Sequence, residues 1–228
     1  MKHLACIMDG NRRWAAAHDV PTVAGYHKGL QAVQTVIGFC IQKKIDYLSL
    51  YVFSIQNVQR ATKEKDAIFT VMLEAVDQAL AFVKKHNVRV FFVGDRALFP
   101  EAIQSLCARV EQETAQAAGL QLALLFGYGG QEEIVDAVKK VAGLVQQSAI
   151  AQDAITPQLL AQHMWTAFMP PPDLIIRTGN AQRISNFLLF QAAYAELYFF
   201  DCMWPDINYD RLQEAYTFFI SSKRNFGL

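Results

Sequence analysis

The sequence predicts an α/β fold, a single domain over residues 1–228 with a central, mostly parallel six-stranded sheet flanked by helices. Three observations support this prediction. Short β-branched and aromatic runs alternate with longer segments of helical period, as in parallel strands joined by crossover helices. A chain of 228 residues, 53% hydrophobic and 18% charged, is large enough to bury one sizeable core. No linker, internal repeat or low-complexity tract divides it.

Six strands and six helices follow from these patterns, taken in chain order. The predicted strands cover 3–8, 46–53, 88–94, 121–126, 174–177 and 197–200. The predicted helices cover 28–43, 63–86, 97–117, 131–147, 157–168 and 209–221, and most of them open at a Thr, Asp or Pro. Because strand and helix alternate, the helices are expected on both faces of the sheet.

The predicted helix 63–86 has an apolar surface wider than one core-facing stripe. Its apolar positions are 68, 71, 72, 75, 76, 79, 80 and 83, with Phe69, Leu73 and Phe82 on the remaining face. A buried helix is the common explanation of such a pattern. A helix that lines a tunnel for a hydrocarbon chain is the alternative.

Charge and cysteine usage exclude several classes of function. Lys plus Arg and Asp plus Glu both number 21, so no net field draws the chain to nucleic acid, and any anion site is built locally. The 4 cysteines form no C-x-x-C pair, the histidines show no metal-binding spacing, and no leader precedes the first strand. We therefore expect a cytoplasmic protein without disulfides or zinc.

Polar residues follow the ends of four predicted strands. In an open parallel sheet, ligands bind beyond the carboxyl ends of the strands, so these residues are expected to share one rim. They are 9–14 after the first strand, Ser54, Asn57 and Arg60 after the second, 127–130 after the fourth, and 177–179 with 183–186 after the fifth.

Arginines next to Gly, Ser and Asn match the geometry of phosphate oxygens, and a diphosphate substrate fits them. Asp9 among these arginines is either a salt-bridge partner or a ligand of Mg²⁺, which would neutralise a departing diphosphate. Glu196, just before the last strand, is a candidate second carboxylate for the metal. No Walker A or G-x-G-x-x-G motif supports a nucleotide site.

Taken together and in order, these residues resemble the cis-prenyltransferases, the undecaprenyl diphosphate synthase family, over nearly the whole chain. The matching segments are 8–14 (MDGNRRW), 50–54 with Asn57 and Arg60, 128–130 (YGG), 173–179 with 183–187 (RISNF), 193–199 (AYAELYF) and 204–206 (WPD). Several multi-residue motifs in the family's order make the resemblance specific.

The resemblance implies a homodimeric, Mg²⁺-dependent enzyme that adds isopentenyl diphosphate to an allylic diphosphate and makes each new double bond cis. It implies Asp9 and Asn57 as catalytic residues and Asp9 and Glu196 as metal ligands. The substrate-binding residues would be Gly10, Asn11, Arg12, Arg13, Trp14, Tyr26, Phe53, Ser54, Arg60, Arg177, Arg183 and Ser185. Trp14 and Phe53, as aromatics beside strands, are equally well explained by packing.

Departures from the family pattern lie mostly on the allylic side. Arg12 stands where the bacterial motif has Gly, and other departures are Thr22, Tyr26, Ile55, Gln56, Val58, Gln131, 180–182 and Asn225. Three hypotheses remain: a synthase of a long polyprenyl carrier lipid for cell-wall sugars, a short-chain or irregular enzyme of the lavandulyl type, and a non-catalytic partner subunit. A long product implies peripheral membrane contact at release. Asp9, Arg177, Arg183 and Glu196 argue against the partner subunit.

Overall fold

A computed structural model of the chain describes residues 1–59 and 62–222 and contains the predicted sheet. Its strands are β1 (His3–Ile7), β2 (Tyr47–Ser54), β3 (Arg89–Val93), β4 (Gln121–Tyr128), β5 (Leu174–Arg177) and β6 (Glu196–Phe199). All six are parallel, in the order β3-β4-β2-β1-β5-β6. The predicted α/β class and strand count are confirmed.

Seven α-helices occur in the described residues. They are α1 (Asn11–Ala17), α2 (Thr22–Gln42), α3 (Thr62–Lys85), α4 (Glu101–Thr114), α5 (Gly130–Gln146), α6 (Pro157–Gln162) and α7 (Tyr209–Ser221). Helix α1 was not predicted, α2 begins before the predicted residue 28, and α6 ends before the predicted residue 168. Among the helices described, none combines the length and apolar character needed to cross a bilayer.

The sheet buries side chains on both faces. The larger core lies under α2, α3, α4 and α7 and includes Phe39, Phe126 and Trp204, each at most 2% exposed. The smaller core, on the other face, is built around Tyr128, Phe187 and Leu188. Covering both faces explains why the strands read as nearly continuous apolar runs instead of alternating ones.

The strand order creates a crevice at the centre of the sheet. The chain passes from β1 to β2 on one side, whereas β5 returns on the other side of β1. Connections that leave in opposite directions separate at the carboxyl ends of the two neighbouring strands, which is where open α/β sheets bind ligands. Asp9 follows β1 and Arg177 ends β5, so both residues lie at this crevice.

Candidate active site

A cleft of about 1030 Å³ opens at the crevice between β1 and β5. Residues from the predicted segments after β1, β2 and β5 line it. The segment 127–130 after β4 does not, although Gln131, at the start of α5, does. The predicted site residues that line it are Asp9, Gly10, Asn11, Arg12, Arg13, Tyr26, Ser54, Asn57, Arg177, Arg183 and Ser185. The expectation of one shared rim is met for these eleven residues.

Asp9 pairs with two guanidinium groups in the cleft. Its Oδ1 lies 3.1 Å from the Arg13 Nη2, and its Oδ2 lies 3.0 Å from the Arg177 Nη2. The two partners differ in environment, because the Arg177 side chain is 5% exposed and that of Arg13 is 50% exposed. Arg13 is therefore free to change partners at little cost, whereas Arg177 is a fixed part of the site.

Arg177 joins β5 to the loop that follows it. Its Nη1 donates to the main-chain oxygen of Arg183 and, at 2.8 Å, to the Ser185 Oγ. Its Nε is buried and has no hydrogen-bond partner within the described residues. The guanidinium thus holds Asp9 and Ser185 on either side of itself and keeps one donor unused.

The backbone of Asp9 is held by Thr178, which the sequence analysis did not single out. The Thr178 hydroxyl, fully buried, donates to the main-chain oxygen of Asp9 at 2.7 Å, and the Trp204 main-chain N–H donates to the same oxygen at 3.1 Å. Gly10 follows with φ 118°, and a Cβ there would lie 2.8 Å from the Met203 sulfur. Only glycine fits this turn out of β1.

Helix α1 carries Asn11, Arg12 and Arg13 into the cleft and packs closely on α2. A Cβ at Gly25 would lie 2.5 Å from the Asn11 main-chain oxygen, and one at Gly29 would lie 2.2 Å from its Oδ1. That Oδ1 is buried and has no hydrogen-bond partner in the part of the chain described. Gly25 and Gly29 of α2 therefore allow the close contact that positions α1.

Ser54 and Asn57 adjoin the cleft at the end of β2. The Asn57 main-chain N–H donates to the Ser54 Oγ at 3.2 Å, which starts the 3₁₀ turn Ile55–Gln59. Both residues line the cleft, as does Gln56. Arg60, predicted to bind substrate, lies outside the described residues, as does Asn225.

An apolar cavity of about 230 Å³ adjoins the polar cleft. All eight apolar positions singled out on α3 line it, namely Ile68, Val71, Met72, Ala75, Val76, Ala79, Leu80 and Val83. Met8, Asn11, Tyr26, Tyr51, Val52 and Ile68 line both the cavity and the cleft. The helix therefore borders a cavity, and the two spaces meet at shared walls.

Comparison with known proteins assigns the family. The sequence model of the family described as putative undecaprenyl diphosphate synthase matches residues 7–227. The chain belongs to this family. The undecaprenyl diphosphate synthase of Pseudomonas syringae pv. tomato, specific for (2E,6E)-farnesyl diphosphate, is 39% identical over 226 residues, which cover 99% of this chain and 90% of that one. The enzyme of the same name from Buchnera aphidicola is 40% identical, with 99% and 90% covered.

Two solved structures of prenyl diphosphate synthases superpose on the whole chain. The lavandulyl diphosphate synthase of Lavandula x intermedia, in complex with dimethylallyl diphosphate, has a TM-score of 0.95 at 29% identity and covers 100% of this chain and 98% of that one. A probable undecaprenyl diphosphate synthase from Campylobacter jejuni has a TM-score of 0.83 at 30% identity, with 100% and 99% covered.

Two aromatic residues predicted at the substrate site pack elsewhere. Phe53 is 1% exposed and its ring centroid lies 5.6 Å from that of Phe99 and 5.8 Å from that of Phe126, so it is a core residue. The Trp14 indole stacks on His18 and donates from Nε1 to the Asp206 Oδ1 at 2.7 Å. For both residues the structure favours packing over the cleft.

Glu196 lies far from Asp9 within the described chain. It is the first residue of β6 and pairs with Leu174, the first residue of β5, whereas Arg177 at the other end of β5 reaches Asp9. Arg177 lies three residues beyond Leu174 along β5, so Glu196 and the end of β5 that reaches Asp9 are about 10 Å apart. The expected pair of carboxylates is therefore not assembled, and no group of three His, Cys, Asp or Glu side chains suited to a metal occurs in 1–59 and 62–222.

Gly129 and Gly130, which the sequence predicts in a phosphate cradle, pack closely against neighbouring side chains and are not among the residues that line the cleft. A Cβ at Gly129 would lie 2.0 Å from the Glu132 Oε2, and one at Gly130 would lie 2.8 Å from the Leu189 Cγ. Tyr128 is fully buried in β4, and its hydroxyl donates to the equally buried Glu133. The loop after Ser185 rests on these glycines.

Proposed function

We propose that the chain is a cis-prenyltransferase that condenses isopentenyl diphosphate with an allylic diphosphate to build a long polyprenyl, undecaprenyl-like diphosphate. The observation that carries the proposal is the junction of two unlike spaces, a polar cleft with arginines and an apolar cavity bordered by α3. Such a junction suits an amphiphile whose diphosphate stays at the strand ends while its hydrocarbon chain enters the cavity. The named relatives support the same chemistry.

The isopentenyl diphosphate side is assigned to Arg177, Arg183 and Ser185. The buried Arg177 guanidinium is preorganised by Ser185 and Asp9, so little side-chain entropy is lost when an anion binds. Its unused Nε adds a donor, and Arg183 lines the same cleft. Preorganised donors of this kind hold a diphosphate in register with the reacting carbon.

The allylic side is assigned to Asp9 and the residues of α1, with Asn57 of the neighbouring turn. In the reaction a carbon–carbon bond forms, the allylic carbon–oxygen bond breaks, and the isopentenyl unit loses a proton. Negative charge then develops on the departing diphosphate, and Arg12 and Arg13 line the cleft where it would be stabilised. The family pattern has an Arg at the position of Thr22, and in this chain Arg12 would supply the missing cation.

Magnesium fits this donor set with one protein carboxylate. Mg²⁺ commonly takes one or two carboxylates together with substrate phosphate oxygens and water, and Asp9 offers a 31% exposed carboxylate in the cleft. When bound, the ion would neutralise diphosphate charge. Asp9 is the residue of this chain that would hold it, after release of the exposed Arg13. Glu196 lies at the opposite end of the strands from Asp9 in the described chain, so we do not assign it to the ion.

The assembly we propose is a homodimer. The support is exposed apolar side chains on α5 and on the turn before β6, which a hydrogen bond from Gln191 to Glu133 joins. Val135 and Val138 on α5 are 51% and 49% exposed, and Tyr194, just before the edge strand β6, is 71% exposed. Sedimentation equilibrium of the whole chain tests this: twice the 25.6 kDa chain mass is expected, and a monomer would contradict it.

The activity is tested by product analysis. The purified protein is incubated with Mg²⁺, labelled isopentenyl diphosphate and allylic diphosphates of C5 to C20, and the products are sized by mass spectrometry. A ladder that ends in a long chain supports the proposal. A short branched product that never elongates would instead establish the lavandulyl-type alternative, and no product with any starter would contradict the assigned activity.

Asp9→Asn is the variant for the allylic side, because it keeps the shape and removes the charge. We expect turnover to fall by about 100-fold or more, while Asp153→Ala, at an exposed aspartate outside the cleft, retains full activity. Chelation of Mg²⁺ should abolish wild-type turnover. Full activity of Asp9→Asn would remove Asp9 from the mechanism.

A further inference from the structure

The loop that carries Ser185 has an unusual backbone. Ser185, Asn186 and Leu188 have φ of 50°, 64° and 44°, in the left-handed region that residues with a Cβ rarely adopt. Asparagine tolerates this conformation better than serine or leucine does. Strain of this kind persists only where surrounding contacts over-determine the loop, and it occurs preferentially at ligand-binding sites.

Asn186 supplies those contacts. Its Oδ1 accepts from the Gln131 main-chain N–H at 2.9 Å, and its Nδ2 donates to the Glu132 Oε2 at 3.0 Å. Its main-chain oxygen also accepts from the Gly130 N–H at 2.8 Å. The first N–H groups of a helix have no partner inside the helix, so the start of α5 is a ready attachment point for the loop.

The attachment depends on the absence of a side chain at residue 129. A Cβ at Gly129 would lie 2.8 Å from the Asn186 Nδ2 and closer still to the Glu132 carboxylate. The hydrogen bond between these two side chains therefore crosses directly over the glycine. The glycine, the helix start and Asn186 together form one clamp.

Ser185, the neighbouring residue, is thereby fixed on the cleft side. Its Oγ accepts from the Arg177 Nη1 at 2.8 Å, and its main-chain oxygen lies 3.3 Å from the Tyr51 hydroxyl. Burial raises the pKa of Tyr51 well above its ordinary value, so the phenol stays protonated and able to donate. One peptide unit separates the clamp at Asn186 from the Ser185 hydroxyl.

We propose that Asn186 is a positioning residue for the isopentenyl diphosphate site. It holds the strained loop on the start of α5, so that the Ser185 Oγ, the Arg183 segment and the Arg177 guanidinium keep one fixed arrangement. This inference rests on the proposed function, because it assigns these three residues to isopentenyl diphosphate. Asn186 borders the cleft, but its side-chain hydrogen bonds go to the start of α5, so the role is indirect and acts through Ser185 and Arg177.

The test uses Asn186→Gly in the full-length protein. Glycine adopts a φ of 64° without strain, so this variant keeps the backbone and removes both side-chain hydrogen bonds. We expect the KM for isopentenyl diphosphate to rise about tenfold, as expected from the loss of two hydrogen bonds. The kcat should change less than threefold and the KM for the allylic diphosphate should not change. A purely structural role would lower the apparent kcat with the folded fraction and leave both KM values unchanged, because KM does not depend on the concentration of active enzyme.

Asn87→Gly is the matched control. Asn87 also has a left-handed backbone, with φ 54°, and its Oδ1 also accepts a main-chain N–H, that of Ala118 at 3.1 Å. It precedes β3 and so lies at the edge of the sheet opposite the cleft. We expect a similar loss of stability from this variant and an unchanged KM.

A KM for isopentenyl diphosphate within twofold of wild type in Asn186→Gly would overturn the inference while leaving the proposed function in place. If the wild-type protein makes no product at all, the proposed function fails, and direct binding of isopentenyl diphosphate by calorimetry then decides the inference. Binding weakened about tenfold by Asn186→Gly would support it, and equal binding would refute it.

Discussion

Replacing Glu133 by alanine removes the acceptor of a buried polar network. The carboxylate is fully buried and accepts from the Tyr128 hydroxyl, from the Thr166 N–H at 2.9 Å and hydroxyl at 2.7 Å, and from the Gln191 amide at 2.8 Å. Four donors therefore satisfy one charge, and none of these hydrogen-bond donors in the described residues is a cation. Burial and the nearby Glu133 charge both raise the pKa of Tyr128, which keeps its phenol a donor.

The magnitude follows from the donors left behind. Glu133→Ala leaves the Tyr128 hydroxyl and the Thr166 N–H and hydroxyl without their acceptor, whereas the Gln191 amide still donates to the Thr166 Oγ. Each buried donor without an acceptor costs about 1 to 3 kcal/mol. We expect a loss of about 4 kcal/mol in the free energy of unfolding, taking values near the low end because a buried charge also disappears. For a chain of this length that corresponds to a melting temperature lower by about 8 to 16 °C.

Glu133→Gln separates the network from the shape of the side chain. The Tyr128 hydroxyl can turn and accept, and the Gln191 Oε1, which has no partner in the described residues, can accept from the new amide. We expect a loss of about 1 kcal/mol. Urea unfolding followed by circular dichroism at fixed protein concentration measures both variants. A loss under 1.5 kcal/mol for Glu133→Ala, or equal losses for the two variants, would refute the reasoning.

Two further predictions concern His3 and Thr178. Burial lowers the pKa of His3 to about 4, so its neutral form stabilises the fold above pH 6.5 and this stability is lost as the pH falls toward 4. We expect this residue to make the free energy of unfolding about 2 kcal/mol smaller at pH 5 than at pH 8. His3→Gln should remove that difference. Unfolding curves of the variant that keep the wild-type pH slope would contradict the prediction. Thr178→Val loses the hydrogen bond to Asp9, which should lower the free energy of unfolding by about 1 kcal/mol and lower kcat/KM for prenyl transfer. Thr178→Ser keeps the hydroxyl and should retain kcat/KM. Equal kinetics for the two variants would show that the hydroxyl does not position Asp9.

The elements that the sequence predicted well are those whose pattern is local. The six strands are apolar runs bounded by polar or turn residues, and the eight apolar positions of α3 all reach the cavity. Helix α1 escaped prediction because it has only seven residues and no side-chain cap. It is held by close contact with Gly25 and Gly29 of α2, which is a tertiary effect that short-range patterns do not contain.

The errors in the site have two physical causes. Glu196 is the first residue of β6, and in a parallel sheet a residue at the start of a strand lies at the end of the sheet opposite residues that follow a strand, so its separation from Asp9 was deducible from its position. The glycines of 128–130 were ambiguous, because close packing and phosphate contact both require a missing side chain. Thr178 carried a weak signal, as the residue directly after β5, and only the hydrogen bond to Asp9 reveals its task.

The central position of β1 has a consequence for biosynthesis. Strand β1 is synthesised before both of its neighbours. Strand β2 can pair with one of its edges once residue 54 has been made, but its other edge waits for β5 at residue 174. Translation at about 5 to 20 residues per second makes that wait roughly 6 to 24 s. During this interval the nascent chain presents an apolar strand with an open edge, which is the kind of surface that pairs with other chains unless it is covered.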